Sequence, residues 1–180
     1  MILGLDPGFT SMGWALLEVS SAQPSCLGAS TIRTKPNNTL KRCDDNDRRC
    51  GEITRSLVDL YKKHDFILIA AEAQSWTTFH KADRQVAMAW GIISALAEFY
   101  AMPIIQIRPQ EIKGSLTNDK SASKGAVESV LRNLCLNAGG HLDQVIKSQR
   151  NHAADALAVA WASMDHALIK ALQNMEPRRP

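Results

Sequence analysis

An α/β fold is the architecture that the sequence predicts, and three observations predict it. Short apolar segments separated by turn signals crowd the first 33 residues, a continuous apolar run of strand length lies near the middle, and segments of helical period dominate the rest. Ile2 to Asp6 is an apolar strand closed by the turn signal Asp6-Pro7-Gly8, and Met12 to Val19 is a second, antiparallel strand. Ser20 to Pro24 turns the chain again, and Cys26 to Arg33 supplies a third strand of the same meander. Residues 34–41, with Pro36, Asn37 and Asn38, form a loop.

From Arg42 to Lys63 the positions Ile53, Leu57, Leu60 and Tyr61 recur at helical spacing among charges, which predicts an amphipathic helix. Phe66 to Ala71 reads as an interior strand covered on both faces, ending at Glu72. Lys81 to Tyr100 reads as a long helix with two apolar sides, one carrying Val86, Trp90, Ile93, Ala97 and Tyr100, the other Met88, Ile92, Ala95 and Phe99. Pro103 breaks it, Ile104 to Ile107 forms a short strand, and Pro109 closes that strand. Ser123 to Cys135 is a shorter helix, with Gly139-Gly140 and a loop beyond it. An alanine-rich last helix runs from Asn151, its expected N-cap, to Leu172.

The 180 residues suit a single domain, residues 1–180, with a core that needs no staples. A hydrophobic share of 45% with 22% charged residues excludes a mainly disordered chain. No apolar run reaches the length of a membrane span, and Met1 leads into Ile2 to Asp6 without a basic leader, so a cytoplasmic protein is expected. Cys26, Cys43, Cys50 and Cys135 show no zinc spacing and read as reduced thiols. A net charge of +3 is compatible with nucleic acid as partner but does not require it.

Three carboxylates stand where function would place them: Asp6 and Glu72 at strand ends, and Asp155 in the first turns of the last helix. His152, three residues before Asp155, shares its helix face. Acids converging from separate elements repel one another unless a cation lies between them, and hard oxygens with one imidazole suit magnesium or manganese better than zinc. Each residue also has a plainer role open to it: Asp6 as turn former, Glu72 as solvated strand end, Asp155 as partner of the helix dipole, His152 as a capping or surface residue.

The segments Ile2-Leu3-Gly4-Leu5-Asp6-Pro7-Gly8 with Gly13-Trp14, Leu27 to Lys35, Ile69-Ala70-Ala71-Glu72, and His152-Ala153-Ala154-Asp155 to Ala160 resemble, in order, the successive signatures of the RuvC family of Holliday junction resolvases. The resemblance spans residues 2–161. It implies a ribonuclease-H-like fold, with a mixed five-stranded sheet flanked by helices, and a homodimer that nicks two opposed strands of a four-way DNA junction. It implies that Asp6, Glu72 and Asp155 bind metal, with His152 as a fourth ligand or proton-transfer group at a position where many members carry aspartate. Two Mg2+ or Mn2+ ions per site, in-line hydrolysis and 5′-phosphate products go with that reading.

The resemblance further implies DNA contacts by Lys113 and Lys124, with Lys120 able to replace either; because Lys113 and Lys124 flank a polar loop, a plainly solvated role is also open to them. Trp76, one place displaced from the family's aromatic and followed by Phe79, is a candidate for entering the junction or a packed core residue. The doubly apolar helix from Lys81 to Tyr100 is the candidate dimer interface. The cell in view is bacterial or a phage-infected host. A relaxed nuclease of flaps and forks, and a junction-binding protein without turnover, are the alternatives. The actin-like and sugar-kinase ATPases, which also open on a strand ending in Asp-x-Gly, need a second glycine-rich loop and about twice this length.

Overall fold

The computed structural model describes residues 1–19, 23–73, 81–166 and 169, with nothing stated of the side chains of residues 81–83. Strands β1 (Ile2–Asp6), β2 (Ser11–Glu18) and β3 (Ser25–Arg33) are followed by α1 (Arg42–Lys63), β4 (Leu68–Glu72), α2 (Lys81–Phe99) and β5 (Ile104–Ile107). Helices α3 (Pro109–Thr117), α4 (Lys124–Leu134), α5 (Ala138–Gln144) and α6 (Arg150–Ser163) complete the order. The strands form one mixed sheet in the order β3-β2-β1-β4-β5. The meander β1 to β3 is antiparallel, whereas β4 pairs parallel with both β1 and β5.

Alternation along the strands divides the core in two. Leu3, Leu5, Ile69 and Ala71 point to the face covered by α1 and α2, where Ile53, Leu57, Trp90 and Ile93 meet them. Ile2, Leu68 and Ala70 point to the other face, under α3 to α6. Both Asp6 and Glu72 continue the second alternation, so their side chains leave the sheet on the α6 side.

Helix α6 lies unusually close to the strands. A Cβ placed on Gly4 would stand 2.1 Å from the Ala156 carbonyl oxygen and 2.8 Å from the Ala160 Cβ, and one on Gly13 would stand 1.9 Å from the His152 carbonyl oxygen. Gly4 and Gly13 therefore clear the path for the stripe His152, Ala156 and Ala160, and the alanines keep the helix thin on that side.

Four expectations from the sequence need correction. Pro109 opens α3 instead of merely closing β5: it occupies the first helical turn, and the Glu111 carboxylate accepts the Arg108 backbone N–H at 2.9 Å. Gly139 and Gly140 lie inside α5, which is held by the fully buried Ala138 and Leu142 despite the poor helix propensity of glycine. The last helix begins after Gln149, with Asn151 inside it, and its described extent ends at Ser163. Finally, β4 starts at Leu68, two residues after Phe66. All four cysteines are free thiols, with Cys26 and Cys135 buried.

Candidate active site

The parallel pairing of β1 with β4 matches Leu5 to Ala71, so Asp6 and Glu72, each one residue further on, are neighbours at the carboxyl ends of adjacent strands. Asp6 also pairs with Gly13 of β2, and the His152 carbonyl rests on that glycine. The contact sets the height of α6 above the sheet, and His152 Nδ1 lies 2.7 Å from Asp6 Oδ2. One turn along, the Asp155 carboxylate forms an ion pair with Lys124 at the first turn of α4. A cleft beside this pair is lined by Glu72, Asp155, Lys113 and Lys124.

The electrostatics follow from burial and crowding. Glu72 is pushed up to about 7, first by burial and then by the negative charges of Asp6 and Asp155, with Lys124 and Lys113 opposing. Burial also raises Asp155, although the hydrogen bond from Lys124 works against it. Burial disfavours the Lys124 charge, but its bond to Asp155 and the field of the three acids prevail and hold its pKa up. His152 is raised mainly by its hydrogen bond to Asp6, against burial.

The donor set, three carboxylates and one imidazole without a thiolate, fits a hard divalent cation that tolerates nitrogen. Burial raises Glu72 most, and the further push from the charges of Asp6 and Asp155 is what a bound cation would relieve. Among the described residues no three of the His, Cys, Asp or Glu side chains stand in ligating geometry. Asp6 is turned to His152 and Asp155 to Lys124.

Of the residues expected from the sequence, the four acidic and imidazole groups come together, and Lys113 and Lys124 join them at the cleft. Lys113 belongs to α3 and Lys124 to the opening of α4, so neither merely flanks a loop. Lys120 is exposed beside Gly114 and is absent from that lining. Trp76, with Ser75 and Phe79, lies outside the described residues.

Sequence reasoning missed Gly4 and Gly13 as clearance residues and Arg49 of α1, which is 2% exposed. Arg49 was detectable: it stands four residues before Ile53 on the stripe that continues to Leu57, where an apolar residue is expected.

Comparison with known proteins points one way. Residues 2–163 match the family model described as crossover junction endodeoxyribonuclease RuvC. Among curated relatives, the crossover junction endodeoxyribonuclease of Gloeobacter violaceus is 29% identical, covering 98% of this chain and 94% of its own. That of Prochlorococcus marinus strain MIT 9313 is 32% identical, covering 88% of this chain and 94% of its own. Among solved structures, Thermus thermophilus RuvC in complex with Holliday junction substrate superposes with a TM-score of 0.76 at 23% identity, covering 94% of this chain and 95% of the other. The yeast mitochondrial Holliday junction resolvase does so with a TM-score of 0.63 at 15% identity, covering 97% and 84%. The mixed sheet with its flanking helices is therefore ribonuclease-H-like, and this chain belongs to the RuvC family of crossover junction endodeoxyribonucleases.

Proposed function

We propose that this protein is a divalent-metal-dependent endonuclease that resolves four-way DNA junctions by paired symmetric nicks, with residues 1–180 as one nuclease domain. The observation that carries the reading is the meeting of Asp6 and Glu72, from adjacent parallel strands, with His152 and Asp155 on the helix that crosses above them.

Asp6, Glu72, Asp155 and His152 would hold two magnesium or manganese ions, which supply activation of the attacking water and stabilisation of the departing 3′ oxygen, leaving a 5′-phosphate. The carboxylates act as scaffold and not as nucleophile. The hydrogen bond to Asp6 orients the His152 ring, and its other nitrogen, Nε2, is the one available to a ligand or a proton. Lys113 and Lys124, at the mouth of the cleft, would bind phosphate oxygens and thereby hold a strand against the acids.

Symmetric nicks need two sites related by a two-fold axis, so we propose a homodimer. The α2 surface that remains for it is narrower than the sequence implies. Trp90, Ile93 and Ala97 are buried in the core, and Met88 and Ile92 pack partly against it, leaving Ala95 and the 78% exposed Phe99 outside. No helix among the described residues is long and apolar enough to cross a membrane. The setting we propose is the cytoplasm of a bacterial cell or a phage-infected host.

The test is Asp6→Asn assayed on labelled four-way, flap and linear DNA with magnesium or manganese. Cleavage should disappear while junction binding stays near the original strength. Metal-dependent cleavage retained by that variant would remove Asp6 from the site, and equal cutting of flaps and junctions by the parent protein would favour the relaxed nuclease.

A further inference from the structure

We propose that Arg49, on the opposite face of the sheet from the acids, is a positioning residue that braces the turn between β1 and β2 and so holds Asp6 in register with α6. The inference rests on the reading of Asp6 as a site carboxylate.

The turn leaves Asp6 and re-enters the sheet at Ser11, and both of its ends touch the site. Asp6 faces His152, and the Ser11 hydroxyl donates to the side-chain oxygen of Gln149, the N-cap of α6. A displacement of the turn therefore moves the carboxylate and the helix start together.

The middle of the turn is gripped from below. Arg49 Nε donates to Thr34 Oγ1 at 2.8 Å, and Nη2 donates to Thr10 Oγ1 at 2.9 Å with a longer contact of 3.4 Å to the Phe9 carbonyl oxygen. Thr34 Oγ1 in turn donates to the Phe9 carbonyl at 2.6 Å, and the Thr34 backbone N–H donates to the Thr10 carbonyl at 3.1 Å. The guanidinium also lies over the Phe9 ring, 4.3 Å from its centroid. Phe9, Thr34 and Arg49 are each 2% exposed.

The chemical choice at position 49 is informative. Burying a guanidinium is unfavourable unless its donors and charge are matched, and an aliphatic side chain on this stripe would join Ile53 and Leu57 without that penalty. Asp45 and Glu52 on the same helix lend the buried charge a favourable field, but among the described residues no carboxylate lies within ion-pair distance of Arg49. Its described hydrogen bonds go instead to three neutral oxygens of the turn and of the end of β3. A planar fork fixes several such acceptors at once, which an ammonium on a flexible stem does not.

The test compares Arg49→Lys, which keeps the charge but loses the fork, with Thr34→Val, which keeps shape but removes the bridging hydroxyl. Single-turnover cleavage at saturating four-way junction, junction Kd in chelator and thermal unfolding are measured on the full chain. For Arg49→Lys the cleavage rate should fall about 10- to 100-fold, and for Thr34→Val by a smaller factor, with junction Kd changed by no more than about twofold. Folded variants that both cleave at the parent rate overturn the brace, as does a loss carried wholly by Kd or by the unfolded fraction. Asp6→Asn assayed alongside separates the two readings. If it cleaves normally, the carboxylate assignment itself fails; if it is inactive while both brace variants are fully active, only the brace fails.

Discussion

The two faces of the sheet are packed by different rules. On the α1 and α2 side, large side chains such as Leu3, Leu5, Ile53, Leu57, Trp90 and Ile93 separate helix from strand and fill the space between them. On the α6 side the spacers are glycine and alanine, and the helix backbone approaches the strand backbone at Gly4 and Gly13. A core of long side chains can relax around a change, whereas a backbone contact has nothing left to give. The chemistry-bearing residues sit on the intolerant face. His152 and Asp155 can reach the strand ends only because nothing larger than hydrogen lies beneath the helix at Gly13.

Substitutions on the two faces should therefore differ in kind. The largest expected effect is that of Gly13→Ala, whose methyl group has no room beneath the His152 carbonyl. It should cost about 3 kcal/mol or more in stability and, in whatever fraction folds, reduce junction cleavage by about 100-fold or more, because α6 must lift. Denaturant unfolding together with cleavage normalised to folded protein checks it. Parent-like cleavage at parent stability would break the contrast between the faces.

On the opposite face, Leu57→Ala should cost about 2–4 kcal/mol in the same unfolding experiment while leaving cleavage per folded molecule unchanged. A selective loss of activity there would show that positioning from this face extends beyond the Arg49 contacts into its apolar core.

A third variant sharpens the comparison by stabilising the α6 face. Burial and the neighbouring acids push Glu72 up to about 7 in the folded protein from the ordinary glutamate value of 4.5, so its contribution to stability is fully present below about 4.5 and is lost as pH rises through about 7. Glu72→Gln removes the charged form. In chelator at pH 8 it should raise stability by about 1–2 kcal/mol, after allowance for the solvent that reaches this half-buried group, and the gain should vanish near pH 4 while cleavage is lost at every pH. Thermal unfolding across that range decides it; a destabilised variant at pH 8 contradicts the crowding of the three acids.

The smallest effects belong to the lysines. Lys113→Ala and Lys124→Ala should each weaken binding to junctions of every sequence alike and reduce the slope of log affinity against log salt by about one. An unchanged slope would return Lys113 to the solvated surface and leave Lys124 as a partner of Asp155 alone.

How far the sequence was legible varies from residue to residue. The five strands and α1 were readable because alternation and helical spacing are local properties, as at Ile53 and Leu57. Helix α3 carries a start signal at Arg108, Pro109 and Glu111, but a proline after a short apolar run is also the mark of a strand's end, so the local pattern does not separate the two. Helix α5 was not readable, since Gly139 and Gly140 argue against it locally and the burial of Ala138 and Leu142 overrides them. The acids were readable as strand-end and helix-start residues, and their grouping followed from family resemblance and not from spacing.

By itself the sequence determined the order of the five strands and of the helices other than α3 and α5, and the placing of Asp6 and Glu72 at strand ends, because periodicity and turn chemistry act over a few residues. Only the tertiary structure decided that His152 meets Asp6 across 146 positions, that Lys124 pairs with Asp155 across 31, and that Arg49 grips Thr10 from 39 residues away. Such meetings depend on how closely helices lie on the sheet. That distance is the sum of side-chain sizes on two elements far apart in the chain, and at Gly13 it comes down to the absence of a single methyl group.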